Sequence, residues 1–264
     1  MPITSYVVEE GPGQGRGHYQ HKGKGLGHQK HAHEAMADGE YEMVIGGVSH
    51  VNHTPANQTS APTTLADGTQ MNTEVRQGSI TTGAAPDNGG DTTALRLETD
   101  SNNGRLRLNN LYDADNQLTL GELDELSFDY FAQSTDNPQS APVIRLFIDA
   151  DGNLATTGDQ GELVFERVYQ NMGPTPTGSW QTADLAGDDW VAWQRSFGQN
   201  RDQIVNMTEL SDWADADGFT PAGGLNFNED SLILGWSLAY GSGNGTGVMY
   251  VDNLQVGGVT YEFG

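Results

Sequence analysis

The chain has 264 residues, thirty-six Asp/Glu against twelve Lys/Arg, a net charge of −24 and no cysteine. Such a charge repels nucleic acid and anionic membranes, and the lack of cysteine excludes a disulfide framework or a thiolate metal site. No stretch is long and apolar enough to cross a bilayer as a helix, so membrane insertion is not expected.

The charge is unevenly divided. Residues 1–53 hold four Lys/Arg, six Asp/Glu and all seven histidines, a net of −2; residues 54–264 hold eight Arg, thirty Asp/Glu and no lysine, a net of −22. An acidic, lysine-free surface is what a protein working in very high salt needs, because hydrated carboxylates keep it soluble while salt screens their repulsion. A halophilic source is therefore expected, with an acidic secreted protein rich in calcium sites as the alternative. Residues 1–17 show no basic segment followed by an apolar one. Either a leader has been removed, or the chain is released by another route, such as assembly into a virion inside a host.

In chain order, residues 1–10 contain a short β-prone run, Ile3 to Val8, suited to pairing with a neighbour's sheet edge. Residues 11–33 alternate glycine with Arg16, His18, His21, Lys22, Lys24, His28, Lys30, His31 and His33 and carry no carboxylate. Too little apolar surface lies there to offset the entropy of ordering, so residues 1–53 are expected as an extended arm, with a strand or hairpin at 40–53. The five arm histidines are a conceivable zinc or nickel set, but the glycine spacing disfavours a preformed site. A polycation docked on the acidic surface of neighbouring subunits fits better. Residues 54–93 are rich in Thr, Asn, Gly and Pro and are expected as a linker or long loop.

From Ala94 short apolar stretches alternate with turn residues, predicting strands at 94–99, 104–108, 118–120, 123–132, 142–149, 162–170, 179–185, 190–195, 231–240, 247–256 and 259–263. Ile204, Met207, Leu210 and Trp213 recur at three-residue steps and predict one helix over 201–214. The expected fold is mainly β: a jelly-roll β-sandwich over 94–264, one short helix and the N-terminal arm.

Several pieces of this stretch, in order, carry a resemblance: Leu123 to Phe131, Phe147 to Gly152, Leu163 to Tyr169, Gly178 to Thr182 with Trp190 and Trp193, Glu209 to Trp213, Ser231 to Gly235, Tyr250 to Leu254 and Tyr261 to Phe263. Together they resemble a jelly-roll domain family of bacterial and halophilic archaeal surface and secreted proteins, broadly like carbohydrate-binding modules. The resemblance covers about two thirds of the chain. It implies a β-sandwich in a surface setting with an adhesive, sugar-binding or structural role, and it specifies no ligand.

Candidate chemistry is sparse. Asp149, Asp151 and Asn153 offer oxygens at alternate positions of a turn, as calcium requires. The segment departs from an EF-hand loop, with Leu154 where glycine belongs and Gln160 where a bidentate glutamate belongs, and Asp159 or Glu162 is left to complete a different loop. Calcium is thus a candidate cofactor, against a solvated acidic turn. Asp252 is read as bonding backbone amides or a cation. Trp190 and Trp193 follow Asp188 and Asp189 and are candidates for an exposed face that stacks on a glycan, although packing is the ordinary fate of tryptophan. There is no Cys nucleophile, no histidine in the body to serve as a base, and no Gly-x-Ser-x-Gly elbow. Glu162, Glu166 and Asp184 form no pair whose separation sequence can reveal.

The expectation is a non-enzymatic structural protein of an extracellular or virion surface, such as a capsid turret or decoration of an archaeal virus. The arm docks on other copies of the chain or on other structural subunits in a homo-oligomer. The alternatives are a lectin-like or adhesion module recognising surface glycans, or a subunit of a cellular surface filament.

Overall fold

The structure, a computed structural model, describes residues 40–45, 48–53, 58–65, 70–112, 117–156, 158–196, 207–221, 224–241 and 245–263. The arm residues named above, Arg16 to His33, lie outside them. Residues 40–53 form the expected hairpin, β1 (Glu40–Ile45) antiparallel to β2 (Val48–His53).

The strands that follow are β3 (Gln58–Thr64), β4 (Gln70–Arg76), β5 (Gly78–Asn88), β6 (Asp91–Thr99), β7 (Arg105–Leu111), β8 (Leu118–Thr119) and β9 (Leu126–Thr135). After these come β10 (Val143–Asp149), β11 (Gln160–Phe165), β12 (Trp180–Asp184), β13 (Val191–Ser196), β14 (Thr208–Glu209), helix α1 (Leu210–Trp213), β15 (Leu232–Gly241), β16 (Gly247–Val256) and β17 (Val259–Tyr261). They make two antiparallel sheets. One runs β14-β13-β11-β10-β15-β7-β4-β3, with β8 beside β15; the other runs β12-β9-β16-β6-β5, with β17 beside β16. The chain is mainly β, a two-sheet sandwich.

The core lies between the sheets because alternate residues of each strand point inward. Leu95 and Leu97 of β6, Phe128 and Tyr130 of β9, and Met249 and Val251 of β16 share one buried cluster with Leu106, Leu108, Ile144, Leu146, Ile148, Leu163, Trp236 and Leu238. Each large side chain hidden in this way stabilises the fold by about 1.5–3 kcal/mol.

Two expectations need correction. Residues 54–93 are not a linker: they supply β3 and β4 to one sheet and β5 to the other. Their strand character is hard to see because β4 turns Met71 and Thr73 inward with Asn72 and Glu74 opposite, while β5 is an edge strand with little to bury. Nor does a helix span 201–214. Residues 201–206 lie outside the described part, Thr208–Glu209 are extended against β13, and only Leu210–Trp213 are helical. Leu210 and Trp213 are buried in the core, which explains the three-residue spacing without a long helix.

Candidate functional site

The turn between β10 and β11 gathers three of the four residues expected to bind a cation. Asp149 ends β10, and residues 150–159 lead into β11. The chain reverses through Gly152, whose φ of +67° is a left-handed conformation that favours glycine. Asp151 Oδ1 accepts the backbone N–H of Asn153 at 2.8 Å, and Asn153 Oδ1 accepts that of Ala155 at 3.2 Å. Asn153 therefore shapes the turn. The carboxylates of Asp149, Asp151 and Asp159 each bring an oxygen within 4.8 Å of the others.

Little neutralises this cluster. Gln160 Nε2 donates to Asp149 Oδ2 at 2.8 Å, so the residue standing where an EF-hand carries glutamate instead props a carboxylate. Thr156 Oγ1 sits 3.1 Å from Asp151 Oδ1 and 3.1 Å from Asp159 Oδ1. One hydroxyl holds one proton and serves one of these oxygens at a time. Asp149 is fully buried, and its Oδ1 has no hydrogen-bond partner. Burial pushes the Asp149 carboxyl above its ordinary value, and the charges of Asp159 and Asp151 push it further. The backbone amide of Asn153 holds Asp151 below its own. The cluster opens on a groove of about 560 Å3, with Leu225, Asn226 and Asn228 on its far side.

A second carboxylate cluster lies on the outer face of the other sheet, where Asp91 at the start of β6, Asp252 in β16 and Glu262 after β17 meet within 4.8 Å. The register of β16 on β9 shifts between Asp252 and Gln255, and Asn253 takes a φ of +50°, which asparagine tolerates better than most residues. Asp252 lies opposite Asp129, yet the two fare differently. Asp129 accepts from Asn88 Nδ2 (3.1 Å), Asn253 Nδ2 (2.9 Å) and Thr182 Oγ1 (2.7 Å). Asp252 is fully buried, and neither of its oxygens accepts a well-formed hydrogen bond. Burial raises its carboxyl, the charges of Asp91 and Glu262 add to that, and the nearby Asn253 amide and Asn88 side chain offset it only in part. Asp91 is held low by the backbone N–H of Thr93.

A buried carboxylate oxygen without a donor, inside a ring of further carboxylates, suits a hard cation, which takes six to eight oxygens in flexible geometry. Asp149, Asp151 and Asp159 fit that chemistry at one site, and Asp91, Asp252 and Glu262 at the other. Sequence reading singled out Asp252 but missed Asp91 and Glu262, which approach it only through the pairing of β6, β16 and β17.

The tryptophan expectation is corrected. Trp190 is 4 % exposed and joins the main core. Trp193 is 9 % exposed, packs with Val164 beside Tyr169 and Met207, and donates its Nε1–H to Glu166 Oε2 at 3.2 Å. Neither offers a face to a glycan. Among the carboxylates weighed as a glycosidase pair, Glu162 is tied to Arg145 and Arg195.

No protein-family model, curated protein or solved structure matches the chain.

Proposed function

We propose that the chain is a non-enzymatic structural subunit of an extracellular or virion-surface assembly working in high salt. In this reading it is a jelly-roll sandwich whose N-terminal arm docks on neighbouring copies, with calcium holding its acidic clusters in place. The observation that carries the reading is the separation of charge: residues 11–33 hold four Lys/Arg and no carboxylate, while residues 54–264 have a net charge of −22.

The body supports it further by drawing in part of its own positive charge. Arg107 and Arg167 are buried, and Arg145 and Arg195 are half-buried against Glu162. A cationic segment laid on an acidic surface gains charge-assisted hydrogen bonds that salt screens less than open pairs. Symmetric association gives each arm an equivalent acidic partner.

The test keeps the full chain and neutralises the arm with Arg16→Gln, Lys22→Gln, Lys24→Gln and Lys30→Gln. Light scattering after size separation is expected to show the oligomer falling to monomer while circular dichroism stays unchanged. An oligomer of unaltered mass overturns the reading.

A further inference from the structure

The outer face of the larger sheet, turned away from the shared core, carries a feature that the acidic composition does not lead one to expect. Ile144, Leu146 and Ile148 point into the core, so Val143, Arg145 and Phe147 point away from it. On this side lies a groove of about 400 Å3 whose walls include Arg105, Arg107, Arg145, Arg167 and Arg195. Five of the eight arginines of the acidic body thus converge on one concavity.

The register explains how the groove forms. On β15, Ala239 lies between Arg107 and Val143, and Ser237 lies between Asn109 and Arg145. Arg107 and Arg145 are therefore diagonal neighbours across a strand that presents only small side chains between them. Space is left over β15, with a guanidinium on either side.

The negative charge within reach comes from Glu162, Glu74 and Glu166, the last of which lines the groove and accepts the Trp193 Nε1–H. Glu162 serves both Arg145, at 3.1 Å, and Arg195. Glu74 lies 3.9 Å from Arg107 Nη1, beyond hydrogen-bond distance. Arg167 is satisfied locally by Thr175 Oγ1 and the carbonyls of Met172, Gly173 and Pro174. Among the described residues, the donors without an acceptor include Arg107 Nε, Arg145 Nε and Ser140 Oγ. All three residues line the groove, and Arg107 and Ser140 are 6 % and 2 % exposed. Burial, and next the charge of Arg107, pull the Arg145 guanidinium down to about 9. Arginine keeps its proton at neutral pH, so the shift reports two positive charges held close together away from water, with the charges of Glu166 and Glu74 opposing it.

We propose that this groove binds the carboxylate of a small organic ligand, with Arg107 Nε–H, Arg145 Nε–H and Ser140 Oγ–H as its donors. Guanidinium edges match the planar carboxylate. Ala141, Val143 and Tyr169 give the ligand's carbon skeleton an apolar wall that an inorganic anion does not use. The site is independent of the arm-docking reading, because it uses described residues of the body alone.

Arginine Nε–H resonances of the full chain, followed at fixed chloride, test the proposal without altering the protein. The probes are benzoate, its neutral isostere benzamide, and inorganic sulfate. Benzoate is expected to shift the Arg107 and Arg145 signals saturably, benzamide to leave them in place, and sulfate to bind more weakly. Arg107→Gln is expected to weaken benzoate binding about ten- to hundredfold. Ser140→Ala, which removes one donor and leaves the arginines intact, is expected to weaken it by a smaller factor. Equal response to benzoate and benzamide, no response to benzoate, or tighter binding of sulfate each overturns the assignment.

Discussion

The two carboxylate clusters solve the same electrostatic problem with opposite sequence logic. Asp149, Asp151 and Asp159 fall within one turn, so a local motif makes their meeting predictable. Asp91, Asp252 and Glu262 are scattered through the chain and meet only because β6, β16 and β17 are neighbours in one sheet. Yet the scattered cluster is the more demanding of the two. Asp252 has two buried oxygens without a donor, where Asp149 has one and keeps the amide of Gln160. Local spacing thus reveals where carboxylates gather, and tertiary burial decides how much a balancing charge would stabilise them.

The largest effect expected from that contrast is stabilisation by calcium. At a free concentration about a hundred times the dissociation constant, each occupied site adds about 2.7 kcal/mol. Melting curves of the full chain with calcium and with chelator check this, and coincident curves refute both sites.

Replacing one carboxylate at a time sharpens the comparison. In chelator, Asp252→Asn is expected to stabilise the fold by about 1 kcal/mol, because it removes a buried charge that nothing balances. Asp149→Asn is expected to gain less, since Gln160 already serves one oxygen. Both variants should lose part of the calcium response. The pH dependence has a definite sign. The folded-state pKa of Asp149 and of Asp252 is raised above the ordinary 3.8, so the folded chain binds these protons more readily than the unfolded one. Each group then favours folding at low pH and opposes it as pH climbs through its raised value. Denaturant titrations in chelator should show the advantage of each variant over the parent widening across that climb. A constant advantage at every pH contradicts the burial argument.

The smallest effect belongs to Thr156→Val, which removes the hydroxyl shared by Asp151 and Asp159. It is expected to cost about 0.5–1.5 kcal/mol in chelator and much less in calcium, where the cation takes over the work of the hydroxyl. Equal losses in the two conditions would show that the hydroxyl only shapes the turn.

Much of the strand pattern was legible between Leu126 and Tyr261, because inward apolar residues recur at the two-residue period of a half-buried strand. The pattern failed at β3 to β5, where Thr, Ser and Asn occupy positions that packing does not dictate, and at Thr208–Glu209, where apolar spacing imitated a helix. The tryptophans misled for a related reason. Trp190 and Trp193 follow two aspartates, and only the structure shows Trp190 in the core and Trp193 beside Tyr169 and Met207.

Composition and order alone determined the mainly β class, the partition of charge between residues 1–53 and the body, and the acidic turn at Asp149 to Asp159, since these depend on local periodicity and on counting. The meeting of Asp91 with Asp252 and Glu262, and the gathering of arginines over β15, were decided by tertiary structure. Both depend on which strands become neighbours and on which faces become buried, and those follow from long-range pairing rather than from spacing along the chain.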